Sequence, residues 1–278
     1  MSETGESVIR DAARMLSGAG VENASRDARL LLRWVLGLSG AALSAQIQDP
    51  LSHEAATRFR EAVSRRAMRE PISHITGTRE FWGRAFEVNS HVLDPRPETE
   101  VLISEALHRG PFSNVLDLGT GSGCILLTLL SEWPNAFGTG CDISEDALGV
   151  ARSNGERLGV IGRCIFRTSD WYTNVNGRYD LIISNPPYIA EAEMPLLAPE
   201  VLNHEPAVAL SPGGDGQDAY RRIAEHAAKY LNTNGTLMVE IGPTQSLEVS
   251  AIFANAGLLV SAIIPDMDNR PRAIIAHL

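Results

Sequence analysis

From about residue 90 onward the period changes to short apolar runs that alternate with helix-length stretches, and this rhythm limits the fold of the 278-residue chain more than any other feature. The runs lie at 113–118, 137–142, 163–167, 179–184 and 235–241 and read as strands. Between and after them, 122–132, 145–158, 217–231 and 244–256 have helical spacing. Strands that take turns with helices predict a doubly wound parallel α/β sheet. Two further runs, 258–264 and 270–276, are separated only by Pro265-Asp-Met-Asp-Asn-Arg-Pro271. A link that short predicts an antiparallel hairpin at one edge.

The first ~70 residues follow a helical period instead. Val8, Ile9, Ala12, Met15 and Leu16 form one apolar stripe over 6–18. After a break at Gly18 and Gly20, Ser25 is the expected cap of a helix carrying Leu30 to Leu36, which Gly37 and Gly40 end. A third helix is expected over Ser52–Arg69, with Phe59, Ala62, Val63 and Ala67 inward. Its arginines, Arg58, Arg60, Arg65, Arg66 and Arg69, are read as mostly outward, forming a solvated face rather than a docking surface. Glu80 to Val88 alternates around Gly83 and predicts a small hairpin. The length suits two domains. The expected organisation is a helical domain at 1–78, a hairpin linker at 79–90 and the α/β domain at 91–278.

Composition narrows the function classes. A chain 44% hydrophobic and 21% charged is globular rather than disordered or fibrous. No apolar run approaches the ~20 residues of a membrane span. Met1 to Glu6 is polar and acidic, unlike a signal or transit peptide, so a cytoplasmic location without membrane contact is expected. The three cysteines, Cys124, Cys141 and Cys164, have neither disulfide nor metal-ligand spacing, and His74, His91, His204 and His226 form no ligating pattern, so no metal is expected. Net charge is −10; residues 1–85 carry about +2 and the remainder about −12. A strongly acidic catalytic portion argues against a duplex-DNA reader, whose affinity rests on neutralised phosphates.

Val115-Leu-Asp-Leu-Gly-Thr-Gly-Ser-Gly123 ends a strand and opens a helix, where an α/β sheet binds nucleotide-like ligands. A dinucleotide fingerprint needs a glycine at 124, and Cys124 stands there; no Gly-Lys-Ser/Thr follows, so a Walker loop is excluded too. Asp117 ahead of the loop suits a cationic ligand better than a phosphate. Asp142 ends the second strand, placed either for ribose hydroxyls or as a helix cap, a task Ser144 does better. Asp170 and Trp171 follow the third strand; they are suited to hold an adenine, or Trp171 is simply partly buried.

Asp180-Leu-Ile-Ile-Ser-Asn-Pro-Pro-Tyr188 carries the most information. Two consecutive prolines remove backbone donors and stiffen the loop, which leaves the Asn185 side-chain oxygen and nearby carbonyls as fixed acceptors. A planar –NH2 nucleophile needs such acceptors beside the glycine loop.

Together, D-L-G-T-G-S-G, the acid at 142, Asp170-Trp171 and N-P-P-Y resemble the S-adenosylmethionine-dependent methyltransferases that modify exocyclic or amide nitrogens. Pro71 to Gly83, Leu93 to Glu100 and Gly213 to Arg222 narrow the resemblance to the HemK/PrmC family, glutamine methyltransferases of peptide chain release factors. It covers nearly the whole chain. The resemblance implies a Rossmann-like domain with a seven-stranded, mostly parallel sheet, preceded by a small helical domain that recognises the substrate protein, and a hairpin linker. It implies methyl transfer from S-adenosylmethionine, leaving S-adenosylhomocysteine, to the glutamine amide of the Gly-Gly-Gln motif in class 1 release factors. A related family that modifies a ribosomal-protein glutamine carries Arg-Ser-Pro where this chain has Arg96-Pro97-Glu98-Thr99. Asp94 departs from the family, which has an apolar residue there, and the Pro265–Pro271 loop is atypical.

Carried over by motif, Gly119, Thr120, Gly121, Ser122 and Gly123 would wrap the methionine part of the cofactor. Asp142 would bind ribose, Asp170 and Trp171 adenine, and Asn185 would touch both cofactor and substrate. Asn185, Pro186, Pro187 and Tyr188 would hold the glutamine, with Asn185, Pro186 and Tyr188 catalytic and Tyr188 packed on the amide plane. Arg96, Glu98 and Thr99 would lie by the substrate entrance. The expected partner is a release factor, met by a monomer without direct nucleic-acid contact. The alternatives are a ribosomal-protein glutamine methyltransferase, an adenine-N6 nucleic-acid methyltransferase, which should be basic, and a non-catalytic assembly factor, which should have a degraded N-P-P-Y.

Overall fold

The computed structural model describes residues 3–278. The chain divides into two units, one made of residues up to Gly77 with Ala198–His204 and the other of Thr78–Leu197 with Glu205–Leu278.

The first unit is helical: α1 (Gly5–Gly18), α2 (Ala24–Leu36), α3 (Gly40–Gln46), α4 (His53–Ala67) and α5 (Ile72–Thr76). Leu16, Leu31, Leu32 and Phe59 close its core. Ser52 caps α4 by accepting from Ala55 N at 3.1 Å. Ser25 is not a cap: α2 starts at Ala24 after Asn23, whose carbonyl takes the Asp27 N–H, so Ser25 lies inside the first turn. Helix α3 was not expected, because only Leu43 within it is buried and one residue shows no period.

Arg66 is also not outward. It is buried, with Nε 2.8 Å from Asp27 Oδ2 and Nη2 2.9 Å from Glu200 Oε1. Phe59, Ala62, Val63 and Arg66 fall at i, i+3, i+4 and i+7, so the helical period itself carries the arginine to the inner face. Asp27 stands likewise among Ala24, Ala28 and Leu31 on α2. Removing one partner of a buried pair strands the other, which is why both charges must be present.

The second unit opens with a hairpin, β1 (Thr78–Phe81) and β2 (Arg84–Glu87), antiparallel around Trp82-Gly83 as expected. Next come α6 (Glu100–Arg109), β3 (Asn114–Leu118), α7 (Cys124–Glu132), β4 (Phe137–Asp142), α8 (Glu145–Arg157), β5 (Cys164–Thr168) and β6 (Tyr179–Ser184). Helix α9 (Pro199–His204) belongs to the helical unit. The chain continues through α10 (Ala207–Leu210), α11 (Asp218–Tyr230), β7 (Leu231–Glu240), α12 (Ser246–Asn255), β8 (Leu259–Pro265) and β9 (Pro271–His277).

The sheet has seven strands in the order β5-β4-β3-β6-β7-β9-β8. Strands β3 to β7 are parallel, and β9 runs antiparallel to both of its neighbours. This is the Rossmann-like arrangement, with the expected terminal hairpin. Because side chains alternate along a strand, Leu116, Leu118, Ile182 and Val239 pack with α11 and α12, while Val115, Ile183 and Met238 pack with α6 and α7. The register pairs Leu118 with both Cys141 and Ser184. The carboxyl ends of β3, β4 and β6 therefore stop level, at the point where strand order reverses, and Gly119, Asp142 and Asn185 leave the sheet side by side.

The tail loop has a clear structural role. Asp266 accepts from the backbone of Asp268 and Arg270, each at 3.0 Å, and from Arg272 Nη2 at 3.2 Å. It thereby holds the buried Arg272 at the start of β9.

Candidate active site

The glycine loop joins β3 to α7 with Gly119, Gly121 and Gly123 at φ of 69°, 54° and 79°. Gly123 is doubly required, since a Cβ there would sit 2.8 Å from Leu127 Cδ1. Below the loop, Asp117 accepts from Thr120 Oγ1 at 2.6 Å. Burial pushes its carboxyl up to about 7, while the Thr120 bond pulls it back. Asp117 is fully buried and off the cavity wall, so it supports the loop from beneath rather than meeting a ligand directly.

Asp142 links two loops: Oδ2 accepts from Gly121 N at 2.9 Å and Oδ1 from Ser144 N at 3.0 Å. Ser144 caps α8, as expected, by accepting from Ala147 N at 3.2 Å. Burial raises the Asp142 carboxyl, opposed by the backbone donors of Ser144 and Gly121. A carboxylate offers about four lone-pair sites, so acceptor capacity remains for a ligand hydroxyl.

Trp171 is half-buried at a φ of 51°, a left-handed conformation unusual for so large a residue. Ile143, 57% exposed, lies on the same wall, and sequence reasoning missed it. Asp170 Oδ2 accepts from Arg222 Nη1 at 2.8 Å in an exposed ion pair.

Across the cavity, β6 delivers Asn185, whose Nδ2 donates to Thr99 Oγ1 at 3.1 Å. Thr99 Oγ1 donates to Glu240 Oε2 at 2.6 Å, and the Tyr188 hydroxyl donates to Glu240 Oε1 at 3.3 Å. Burial pushes the fully buried Glu240 carboxyl up to about 7; Thr99, Arg272 and Tyr188 favour its charge and Glu98 opposes it. The backbone beyond the prolines is clamped. Tyr188 O accepts from Gln245 Nε2 at 2.9 Å, and a Cβ on Gly216 would meet that carbonyl at 2.5 Å. This is what Gly213 to Gly216 contributes: at a φ of 78°, only glycine fits at 216.

Arg96 Nη2 lies 2.7 Å from both carboxylate oxygens of Glu205, which burial pushes up to about 7 and Arg96 lowers. Asp94, where the resemblance led to an apolar residue being expected, is held by the hairpin. Asp94 is buried 3.7 Å from Arg79 Nη1, and Arg79 Nε donates to Pro95 O at 3.1 Å.

One cavity of about 550 Å³ brings most of these groups together. Gly119, Thr120, Gly121, Ser122, Asp142, Asp170 and Trp171 share it with Asn185, Pro187, Arg96 and Thr99. Gly123, Pro186, Tyr188 and Glu98 are off its wall. The Tyr188 ring packs on the core beneath α11 and α12 instead of facing a ligand, because its hydroxyl is drawn to Glu240. Cys124 lines the cavity as a protonated thiol, pushed up to about 12 by burial. Glu240 was the residue to find: an acid ending the otherwise apolar run Leu237-Met-Val at the sheet's ligand edge.

Two family models match the chain, the PrmC N-terminal domain over residues 7–77 and the methyltransferase small domain over 93–217. A release factor glutamine methyltransferase of Cereibacter sphaeroides is 50% identical, with 97% of each chain covered. Another of that name, from Bradyrhizobium diazoefficiens, is 41% identical over 98% of this chain and 94% of its own. Among solved structures, a methyltransferase from Pyrococcus furiosus shares the fold, with a TM-score of 0.54, 19% identity, and 70% of this chain and 89% of that one covered. Identity of this extent over full length decides the matter: the chain belongs to the release factor glutamine methyltransferase family.

Proposed function

We propose that this protein methylates the side-chain amide nitrogen of the glutamine in the Gly-Gly-Gln motif of class 1 release factors, using S-adenosylmethionine, in the cytoplasm and as a monomer. The observation that carries the reading is Asn185, whose side chain stands on the same cavity as the glycine loop with its Nδ2 already engaged. Residues present fit the donor. The apolar faces of Trp171 and Ile143 are open on the wall for an adenine ring, with Asp170 beside them, and Asp142 keeps lone pairs for ribose. The backbone from Gly119 to Gly123 would hold the methionine end. When bound, the cofactor supplies an electrophilic methyl group on a sulfonium.

The protein's task is then to aim a poor nucleophile. A carboxamide nitrogen has its lone pair delocalised into the carbonyl. Asn185 Oδ1 accepts one N–H of the substrate amide. Pro186 does not itself line the cavity, but its carbonyl stands between the wall residues Asn185 and Pro187; no protein donor takes it among the described residues, and it is assigned the other N–H. Holding both N–H groups fixes the nitrogen's orientation, and near-attack positioning can contribute roughly 7–11 kcal/mol. The same acceptors stabilise positive charge as it develops on nitrogen. Pro187 and the Arg96–Glu205 pair line the approach.

The helical unit is assigned to the body of the release factor. Its arginines offer less free charge than their number suggests, since Arg60, Arg65, Arg66 and Arg69 all have internal carboxylate partners. Intact factor should be methylated far better than a short Gly-Gly-Gln peptide; equal efficiency would remove recognition from this unit. The function itself is tested by mass spectrometry of a release factor incubated with the protein and isotopically labelled donor. One methyl on the Gly-Gly-Gln glutamine is expected. Label on a different residue, or only on nucleic acid, would overturn the assignment.

A further inference from the structure

Asn185 lies 86 residues from Thr99, and Thr99 lies 141 from Glu240, yet the three form one hydrogen-bonded chain ending at the cavity. Its chemistry has a direction. An ionised carboxylate only accepts, and a threonine hydroxyl has one proton to give. At 2.6 Å from Glu240 Oε2, that proton is committed. Toward Asn185, the Thr99 oxygen can then only accept, so the Asn185 group facing it has to be –NH2. The two heteroatoms of a carboxamide point away from each other, so Oδ1 is turned to the opposite side. Among the described residues no protein donor reaches that oxygen.

We infer that Glu240 and Thr99 are positioning residues that fix the rotamer of the Asn185 carboxamide, presenting its oxygen rather than its nitrogen to the substrate amide. The inference rests on the acceptor role of Asn185 given above. Without the relay, Asn185 can flip its carboxamide with little steric penalty, and the flipped form would point donors at a donor. Glu240 imposes the direction when ionised, and Thr99, Arg272 and Tyr188 favour that form against the cost of burial. Arg272, held by Asp266, lies on the neighbouring strand β9, and the Tyr188 hydroxyl gives a second donor. Thr99 thus acts through Asn185 and has no proton left for the substrate, which reassigns the Arg96–Thr99 loop from substrate contact alone to holding the acceptor.

The test compares single-turnover methylation of release factor at saturating donor in Thr99→Val, Thr99→Ser, Asn185→Ala and the double variant Asn185→Ala/Thr99→Val. Thr99→Val should slow the chemical step about tenfold or more, with KM and donor affinity changed less than about threefold. Thr99→Ser, which keeps the hydroxyl, should recover the rate to within about threefold. In the double variant the valine should add nothing, because the group it misdirects is gone. The Asn185 side-chain amide protons, seen by NMR of asparagine-labelled protein, should exchange faster with solvent in Thr99→Val. Where the valine variant fails to fold, Thr99→Ala, which admits a water beside Glu240, should show the same rate loss. A near-normal rate in a folded Thr99→Val or Thr99→Ala protein would overturn the inference, as would losses that multiply in the double variant. A near-normal Asn185→Ala enzyme would instead overturn the acceptor reading itself, in a protein whose Thr99 and Glu240 are intact.

Discussion

On the glycine-loop side of the cavity, the wall comes from the turns that follow β3, β4 and β5, each a short run of residues. Gly119, Gly121 and Gly123 hold positive φ, and Asp142 fastens the loop through Gly121 N. On the Asn185 side the groups are side chains drawn from three distant stretches, around 99, 185 and 240, with Thr99 and Asn185 on the wall and the Glu240 carboxylate buried behind them. The loop half is set by local conformation. The acceptor half depends on the whole sheet having closed, since Glu240 ends β7 and Arg272 begins β9. A ligand that needs only a snug, shallow cradle can be served by the first kind of wall. Aiming one amide nitrogen calls for the second.

The separation predicts that damage to each half should read out differently. On the loop side, Asp142→Ala removes two bonds to the backbone and, on the function proposed above, a ligand for ribose. Donor affinity should fall by ~1–3 kcal/mol, roughly five- to 150-fold. Calorimetry giving an unchanged Kd would reduce Asp142 to a brace between loops and erase the division.

The next effect is on pH. Glu240 is pushed up to about 7 by burial, against Thr99, Arg272 and Tyr188, with Glu98 adding to the rise. Its folded pKa is raised, and the relay needs the ionised form. The single-turnover rate should therefore be full well above that value and fall as pH drops through it, levelling off at about the loss expected for Thr99→Val, since protonation removes no more than the relay itself. Glu205 and Asp117 also stand at about 7. Both remain in Glu240→Gln, so loss of the acid limb in that variant assigns it to Glu240, and an unchanged limb would move it elsewhere.

The smallest effect is expected at the rim. Asp170 and Arg222 are 51% and 57% exposed, and exposed pairs contribute at most ~1 kcal/mol. Arg222→Ala should change donor affinity less than about fivefold; a larger loss would show that the pair holds the donor more strongly than an exposed ion pair can.

The same contrast explains what could be read from sequence. The loop, Asp142 with Ser144 as the true cap, and Asn185 at a strand end were legible because each is encoded within a few residues. Strand rhythm placed all three at one sheet edge, since parallel strands of similar length end level. Glu240 was not singled out, because its partners lie 141 and 52 residues away and no local pattern announces them. Tyr188 was expected on the substrate and packs half-buried against the core, since only the closed fold offers its hydroxyl a carboxylate. Arg66 is the opposite case. Its spacing from Phe59 already placed it inward, and charge was allowed to outvote period.

The most direct test of the account measures Asn185→Ala at saturating donor, in a single turnover, beside its donor Kd. A rate loss of ten- to a hundredfold or more is predicted, since the lost acceptor costs ~1–3 kcal/mol and loss of aim adds to it. Donor Kd should stay within about threefold, because the loop half is untouched. A near-normal rate would contradict the account: N-P-P-Y would then be only a turn, and the amide would be aimed by something else.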